Sequence, residues 1–388
     1  MSKNKIGRNQ DIPKLSKELC LHMIKDLEKA KKPVLKALKC SLDNAFYDAK
    51  TGYLTPGEKQ VSTELNVSSV QKMSRAIFYL EILLENLKSG AVRTKRELYY
   101  VAKGLCKHDK KLKPLDFGSQ EESDSIINFI CELIECYREE INCIANDRGG
   151  QTYSNNLVVT EKLLDGTKAT VDLSSMGTSA FQPKNKPQSF TLKPKKSTKP
   201  KFCLIVESEG TANTLVANGF IKRNNAIVMG AQGVPSNAVR SWAKCISDQL
   251  KIPMYFFGDL DAYTVQNIYR TLKAGSAASL LRNSDFSCPE VRFLGVLPKD
   301  IEKYDLSDYK VDPKDPKDAR TLKKAQDALN NDPFFKDKKN KGVTQILKWL
   351  LKHKRRCEQQ AFIMVDPKDP IAIEKIILEK IKKGDWIS

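Results

Sequence analysis

Histidine is almost absent from this chain, and its cysteines form no recognisable metal motif. The three histidines, His22, His108 and His353, are far apart, and none lies in an apolar or acidic motif. Catalysis that depends on histidine is therefore not expected. The ten cysteines include no Cys-x-x-Cys pair, which argues against both a zinc site and a disulfide framework. We expect reduced cysteines in an intracellular protein.

Long apolar runs are also missing. No stretch of eighteen apolar residues occurs, and the first residues, Met1 to Arg8, contain no apolar signal core, so we expect no membrane segment. A Gly-x-x-x-x-Gly-Lys-[Ser/Thr] loop is absent as well, so a nucleotide site is not expected. Positive charge is abundant, because 66 lysines and arginines oppose 47 acidic residues, a formal +19. A polyanion, nucleic acid before any other, is the expected partner.

The 388 residues are enough for two or three domains. Helical spacing predicts helices over residues 15–38, 70–87 and 125–144, and alternation predicts a β-hairpin from 157–161 and 170–173. Prolines interleaved with lysines mark 182–201 as a linker. The expected segments are a helical arm that is a candidate partner-binding element (1–60), a helix-turn-helix or winged-helix domain (61–150), the hairpin and linker (151–201), and an α/β domain (202–388).

A helix in the second segment has two chemically different faces. Thr94 and Glu97 form a capping box, which predicts that the helix begins at this point. Leu98, Val101, Ala102 and Leu105 share its apolar stripe, whereas the opposite face carries Arg96, Tyr100, Lys103 and Lys107. We therefore expect Tyr100 to point away from the core and Tyr99 to pack. Cations beside a phenol would stabilise the phenolate and hold a phosphate, although a solvated basic face is the plainer interpretation.

The last segment alternates buried strands with helices, which predicts a parallel sheet. Three carboxylates follow strand-like runs: Glu207 comes after residues 202–206, and Asp259 and Asp261 come after 252–258. Because the carboxyl ends of parallel strands line one crevice, these side chains should converge there. They would repel one another unless they shared a hard cation such as Mg²⁺. The alternative is that Asp259 and Asp261 only cap the next helix.

Several motifs in this order resemble a known family. Leu204-Ile205-Val206-Glu207 followed by Gly258-Asp259-Leu260-Asp261 looks like a Toprim domain. With residues 233–240 and 255–263, it is similar to the A subunit of DNA topoisomerase VI and its relatives, the meiotic double-strand-break transesterases. That family carries an Arg-acidic-aliphatic-Tyr-Tyr segment, matched here by residues 96–100. The resemblance extends to 44–48, 52–54, 66–68, 297–304, 358–361 and 384–386, which look more like the topoisomerase branch.

The resemblance implies an α+β multidomain fold, with a helical winged-helix domain followed by a Toprim domain that carries a C-terminal elaboration. It implies that Tyr100 is the nucleophile, that Arg96 assists it, and that Glu207, Asp259 and Asp261 hold Mg²⁺. We expect DNA contacts from Lys103, Lys107 and Arg240. The implied partners are duplex DNA, a second copy of this chain in a homodimer, and an ATP-binding B subunit, in an A2B2 heterotetramer. The implied location is DNA-associated.

This chain departs from the family pattern at Ser236, where Asp is usual, at Glu209, which stands at a variable position, and over 150–201. The charged stretch 312–342 looks enlarged, with no assigned role. Two other functions stay open: a dedicated double-strand breaker that does not reseal, and a non-catalytic DNA-binding scaffold. A Toprim primase or small nuclease is a more distant alternative, because neither needs a tyrosine on a basic face.

Overall fold

The computed structural model describes residues 11–144, 150–162, 166–182 and 190–388. These residues fall into two compact units. The first unit takes its described residues from 11–44 and 56–144, and the second takes its residues from 45–55 and from 150 onward. Neither unit is a single continuous stretch of chain.

The helices of the described residues are α1 (Ile12–Glu28), α2 (Val70–Ser89), α3 (Lys95–His108), α4 (Gln120–Leu133), α5 (Glu209–Ala217), α6 (Phe220–Asn224), α7 (Asn237–Leu250), α8 (Arg270–Ala274), α9 (Asn283–Phe286), α10 (Pro298–Lys303), α11 (Pro316–Asn331), α12 (Pro333–Lys336), α13 (Lys341–His353) and α14 (Ala372–Lys383). A π-helical turn, Thr264–Tyr269, runs directly into α8. In the parts of the chain that are described, no helix combines the length and the apolar character needed to cross a membrane.

The strands are β1 (Val34–Leu38), β2 (Ala45–Asp48), β3 (Tyr53–Pro56), β4 (Gln60–Glu64), β5 (Arg93–Thr94), β6 (Cys143–Ile144), β7 (Gln151–Ser154), β8 (Val158–Lys162), β9 (Lys168–Asp172), β10 (Phe190–Lys193), β11 (Cys203–Val206), β12 (Ile227–Gly230), β13 (Met254–Phe257), β14 (Val291–Gly295), β15 (Tyr309–Lys310) and β16 (Arg355–Arg356). The mixture of helices with a largely parallel five-stranded sheet confirms the predicted α+β class and the predicted parallel sheet.

The first unit is built around three helices, α2, α3 and α4, which bury one common core. The Tyr79 hydroxyl, fully buried on α2, lies 2.7 Å from the Ser123 hydroxyl on α4. Gly90 ends α2 with φ 70°, a conformation that glycine adopts without strain. The strands of this unit pair as β1 with β4 and β5 with β6. The core therefore fixes the direction of α3, which carries the two tyrosines.

The second unit contains a five-stranded sheet in the order β14-β13-β11-β12-β7. Strands β14, β13, β11 and β12 are parallel, and β7 is an antiparallel edge. All residues of β11, β12 and β13 are buried, as their unbroken apolar runs predict for a sheet covered on both faces. Val206 pairs with both Gly230 and Phe257, so these three strands end at the same level.

Two predicted helices end earlier than expected. The helix predicted over 15–38 ends at Glu28, and residues 34–38 form β1 instead, because their backbone pairs with β4. The helix predicted over 125–144 spans Gln120–Leu133, and β6 occupies its expected end. In both places a helical apolar spacing continues past the true end of the helix, because tertiary pairing overrides local propensity.

The predicted hairpin is confirmed by antiparallel pairing of β8 with β9. The stretch expected to be a linker, however, contributes β10, which pairs with β8 and completes a three-stranded sheet. Gln249 of α7 bonds to the backbone of this strand at Phe190 and Leu192. Residues 183–189 of the expected linker lie outside the described residues.

A second hairpin, from β2 and β3, belongs to the second unit although its sequence neighbours belong to the first. The Tyr47 ring lies edge-on to Phe334 with centroids 5.6 Å apart. The Asn283 amide donates to the Leu54 carbonyl at 3.1 Å, and Lys339 donates to the Ala49 carbonyl at 2.6 Å. These contacts tie residues 45–55 to the C-terminal helices.

Candidate active site

The tyrosine helix α3 begins where its capping box predicts. The Glu97 backbone N–H donates to the Thr94 hydroxyl at 3.1 Å, and the Thr94 N–H donates to the Glu97 carboxylate at 2.7 Å. Two backbone donors at the start of the helix are thereby satisfied. Arg96 and Tyr100 lie in the first two turns, so the cap holds the part of the helix that carries the predicted chemistry.

The two adjacent tyrosines have different environments. Tyr100 is 56% exposed, whereas Tyr99 is partly buried and packs against the core of the first unit. Their rings lie 5.3 Å apart at an interplanar angle of 56°. The exposed position of Tyr100 agrees with the helical-face argument, because residues one apart on a helix differ by about 100° in direction.

Cations lie beside each tyrosine. The Arg96 guanidinium is 5.9 Å from the centre of the Tyr100 ring, and Arg96 itself is exposed. Lys103 instead donates to the Tyr99 hydroxyl at 3.4 Å, and that bond is the largest cause of the raised pKa of Lys103. Lys107 is exposed on the last turn of the helix. Arg96 is therefore the cation adjacent to Tyr100, while Lys103 is engaged with Tyr99.

The predicted apolar stripe of α3 is wrong at one position, Leu105. Leu105 is 42% exposed, and Cys106 is buried in its place. The core-facing positions are Leu98, Ala102 and Cys106, four residues apart, and Val101 flanks them. Cysteine packs here as a small apolar side chain, which a search for aliphatic residues overlooks.

In the second unit, the three predicted carboxylates follow the ends of two adjacent parallel strands, β11 and β13. The Asp259 backbone N–H donates to the Glu207 carboxylate at 3.0 Å. The Thr264 hydroxyl lies 3.0 and 3.1 Å from the two Glu207 oxygens, and its backbone N–H donates to Asp261 at 2.6 Å. Gly258 leaves room beside them, because an added Cβ would lie 2.5 Å from a Glu207 oxygen and 2.7 Å from the Phe256 ring.

These carboxylates influence one another's protonation. Burial, aided by the negative charges of Asp259 and Asp261, raises the pKa of Glu207 to about 8. Burial, aided by Asp261, raises the pKa of Asp259 to about 6, although the Gln359 backbone N–H, 2.8 Å away, opposes the shift. Mutual repulsion in a partly buried site is the electrostatic setting that a bound cation relieves.

The donor set consists of hard carboxylate oxygens, which suits Mg²⁺. Across residues 11–144, 150–162, 166–182 and 190–388, however, no group of three His, Cys, Asp or Glu side chains is arranged to hold a metal ion. The Glu207 oxygens accept from Thr264 and from the Asp259 backbone. The chemistry of these three residues fits a divalent cation, whereas their side chains as placed do not close around a common point.

Arg240 does not have the environment expected of a DNA contact. It is 1% exposed, and its guanidinium donates to Asn237 at 3.1 Å and to Ser279 at 2.8 Å. Burial lowers the pKa of Arg240 to about 9. Arg240 is therefore a buried side chain, in contrast to the predicted DNA contact. The amphipathic pattern of α7 did not predict this burial. Ser236, the departure from the family pattern, caps the same helix by accepting from the Val239 N–H at 3.3 Å.

The sequence motifs do not identify two residues that contact the carboxylates, Thr264 and Gln359. Thr264 lies three residues beyond Asp261 and had no motif to mark it. Gln359 lies in the 358–361 segment that resembles the topoisomerase branch, but nothing in the sequence indicated that its backbone contacts Asp259. An antiparallel bridge between Leu260 and Cys357 brings that segment to the site.

Comparison with known proteins places both parts of the chain in one family. Residues 202–381 match the model of the Toprim domain shared by the topoisomerase 6 A subunit with Spo11, and residues 71–143 match the Type IIB DNA topoisomerase model. Together the two matches span more than half of the chain. The chain belongs to the family that unites topoisomerase 6 A subunits with Spo11. Tyr100 lies inside the second match, and the three carboxylates lie inside the first.

Several archaeal relatives, each named as the A subunit of type 2 DNA topoisomerase 6, resemble nearly the whole chain. The protein of Methanocaldococcus jannaschii is 29% identical over 95% of this chain and 94% of its own length. The protein of Aeropyrum pernix is 26% identical over 94% and 92%, and that of Saccharolobus shibatae is 25% identical over 95% and 94%. The similarity thus includes both the tyrosine helix and the carboxylate site.

Proposed function

We propose that this protein is the DNA-cleaving and rejoining A subunit of a type IIB DNA topoisomerase. The observation that carries the proposal is the exposure of Tyr100 on a capped helix, beside Arg96, in a chain that shares the family of the topoisomerase 6 A subunits. A buried phenol could not reach a DNA backbone. An exposed phenol beside a guanidinium can approach a phosphate that the guanidinium binds.

In the proposed reaction the Tyr100 oxygen attacks a backbone phosphorus. The bond from phosphorus to the 3′ oxygen breaks, and that oxygen leaves as a 3′-hydroxyl after it takes up a proton. A 5′-phosphotyrosyl bond forms, so one phosphodiester replaces another, and the reverse attack reseals the strand without a nucleotide. Arg96 donates to the phosphate oxygens, where negative charge grows in the transition state.

We further propose that Glu207, Asp259 and Asp261 hold Mg²⁺. When bound, the cation would supply positive charge to the scissile or a neighbouring phosphate. The carboxylates of this chain would bind and orient the cation, and hydrogen bonds from Thr264 and from the Gln359 backbone hold Glu207 and Asp259. Burial and mutual repulsion of these carboxylates support the assignment.

Double-strand cleavage needs two tyrosines, so we propose a homodimer that makes staggered cuts in duplex DNA. The chain has no Gly-x-x-x-x-Gly-Lys-[Ser/Thr] loop, so strand passage would need an ATP-binding B subunit in an A2B2 assembly. Lys107 and Lys103 on the last turns of α3 are the proposed phosphate contacts next to Tyr100, with Lys103 first released from Tyr99.

The proposal is tested with supercoiled plasmid, Mg²⁺ and a B subunit, comparing the wild type with Tyr100→Phe and Tyr99→Phe. After denaturation and protease treatment, the wild type and Tyr99→Phe should yield linear DNA with a peptide on each 5′ end. Tyr100→Phe should yield none, because the nucleophilic oxygen is gone while the ring remains. The matched Tyr99 variant controls for the loss of a hydroxyl in the same helix.

The outcomes separate the alternatives. If Tyr99→Phe is the inactive variant, the assignment of the nucleophile is wrong. Broken DNA that never reseals, even with ATP and the B subunit, would favour a dedicated double-strand breaker. Absence of any covalent product from the wild type would favour a DNA-binding scaffold. Relaxation by the isolated chain with ATP alone would contradict the need for a B subunit.

A further inference from the structure

The positive charge of this chain is concentrated in one part of the second unit. Residues 310–356 hold fifteen lysines and arginines against six aspartates, a surplus of nine in a chain whose formal charge is +19. This part includes residues 312–342, which contain neither the proposed nucleophile nor the proposed metal ligands. Such a surplus on a folded surface is the electrostatic footprint of a polyanion site.

The ends of this part are joined to each other and to the carboxylate site. Strands β15 and β16 pair, with Lys310 opposite Arg355 and Tyr309 opposite Arg356. The next residue, Cys357, exchanges two backbone hydrogen bonds of 2.8 and 3.1 Å with Leu260, which lies between Asp259 and Asp261. The basic strand pair is therefore a direct continuation of the backbone that positions the proposed metal ligands.

Helix α11, which begins close to this strand pair, presents a basic stripe. Lys317, Arg320 and Lys324 are exposed and lie at positions i, i+3 and i+7, on one face, while Ala325 is fully buried. The stripe extends over about 10 Å, because a helix rises about 1.5 Å per residue. That length spans roughly three base pairs of a duplex.

Most aspartates in and next to this part form ion pairs or cap a helix, whereas Lys317, Arg320 and Lys324 form no ion pair with a described residue. Asp318 lies 3.6 Å from Arg356, Asp308 pairs with Arg355, and Asp332 pairs with Arg270 at 2.7 Å. Asp315 caps α11 by accepting two backbone N–H groups. Asp327 is exposed, and it is already counted among the six aspartates. Within the described chain, no ion pair neutralises the cations at positions 310, 317, 320, 324 and 354.

We propose that Lys310, Lys317, Arg320, Lys324 and Lys354, here called the flanking basic surface, bind phosphates of duplex DNA next to the cleaved bond. This inference rests on the proposed function and specifies where the substrate runs beyond the carboxylates. Duplex DNA is the occupant that matches the surface, because its phosphates continue on both sides of any cleaved bond and so extend past the carboxylate site. Phosphate contacts of this kind set the register of the duplex and do not read its sequence.

The test compares three variants of the full chain with the wild type in duplex-DNA binding at several salt concentrations. The triple variant Lys317→Ala, Arg320→Ala and Lys324→Ala removes the stripe and retains good helix formers. A double variant, Lys310→Ala with Lys354→Ala, removes the strand-pair cations independently of α11. The matched control removes Lys168, Lys193 and Lys201, which are exposed lysines of the same unit without ion pairs among the described residues.

The triple variant should weaken the affinity about tenfold, and the slope of log K against log salt should fall by about 2.7 in magnitude, since each phosphate contact contributes about 0.9. Cleavage at saturating DNA should stay within about twofold of the wild type, because the reacting groups are unchanged. The double variant should show a smaller change of the same kind. The control should leave the salt slope unchanged.

Equal effects of the triple variant and the control would overturn the inference, since charge at any site would then suffice. Unchanged DNA affinity in the triple variant would also overturn it while leaving Tyr100-dependent cleavage, and so the proposed function, intact. Loss of B-subunit binding with normal DNA affinity would assign the surface to a protein partner instead. If the wild type neither binds nor cleaves DNA, the proposed function fails, and the inference fails with it.

Discussion

At the scale of single residues, adjacent side chains in this chain have separate roles because their directions differ. Tyr99 and Tyr100 are chemically identical, yet one packs and the other is exposed on the same helix. Arg240 and Lys103 carry charges that the sequence assigns to DNA, but the first is buried among polar side chains and the second bonds to a tyrosine. The direction and burial of a side chain therefore limit what it can contact, whatever its chemical type.

A buried lysine gives a residue-scale prediction about pH. Lys273 donates to the carbonyls of Pro289 and Val291 at 2.7 and 3.0 Å, and burial lowers its pKa to about 8. Above pH 8 the folded state releases this proton while the unfolded state keeps it up to its usual pKa near 10.4. The unfolded state then binds more protons, so this residue's contribution to stability increases with pH.

We therefore expect the free energy of unfolding of the wild type to rise relative to that of Lys273→Met as pH increases from 7 to 10. Denaturant unfolding at several pH values measures the difference between the two proteins. Lys201→Met, at an exposed position, is the control and should show no such trend. A difference that stays constant with pH would contradict the lowered pKa.

At the scale of elements, the tyrosine helix depends on its first turn. The capping box of Thr94 and Glu97 satisfies two backbone donors on either side of Arg96. Thr94→Ala should destabilise the first unit by about 1 kcal/mol and let the first turn fray. Because Arg96 lies in that turn, cleavage should fall as well. Thermal unfolding and the plasmid cleavage assay measure the two effects.

Glu97→Gln is the matched control for this element, because glutamine can also close a capping box. It should cost much less stability than Thr94→Ala. Equal losses in both variants would contradict this expectation, because they would show that the negative charge of Glu97 contributes as much as the Thr94 hydroxyl to the start of the helix.

At the scale of the whole molecule, the inserted hairpin of β2 and β3 belongs to a unit that is otherwise C-terminal. Tyr47→Ala removes the ring that lies against Phe334, and it should destabilise the second unit by about 2 kcal/mol. Hydrogen exchange should then become faster in α12 and α13, while α2 in the first unit keeps its protection. Phe46→Ala is the control, because that neighbouring ring is 63% exposed. Faster exchange in both units would contradict the division.

Sequence patterns predicted the elements of this fold that depend on residues close together in the chain. The capping box, the buried strand runs and the hairpin of β8 and β9 all depend on residues close in sequence, and each is confirmed. Strand β1, strand β10 and the Gln359 contact depend on partners far along the chain, which spacing does not reveal. The candidate site was therefore predictable in its carboxylates and tyrosine but not in the groups that hold them.

The inserted hairpin also has a consequence for synthesis of the chain. Tyr47 and its hydrogen-bond partner Asn340 are 293 residues apart. At roughly 5–20 residues per second, a ribosome needs about 15–60 s to make that interval. During this time the hairpin lacks its full set of partners, because Asn283 follows Leu54 by 229 residues and Phe334 and Asn340 come later still, although the chain around it can already form the first three-helix core. A nascent chain must therefore carry a two-stranded segment that is not fully docked until Asn340 has been translated.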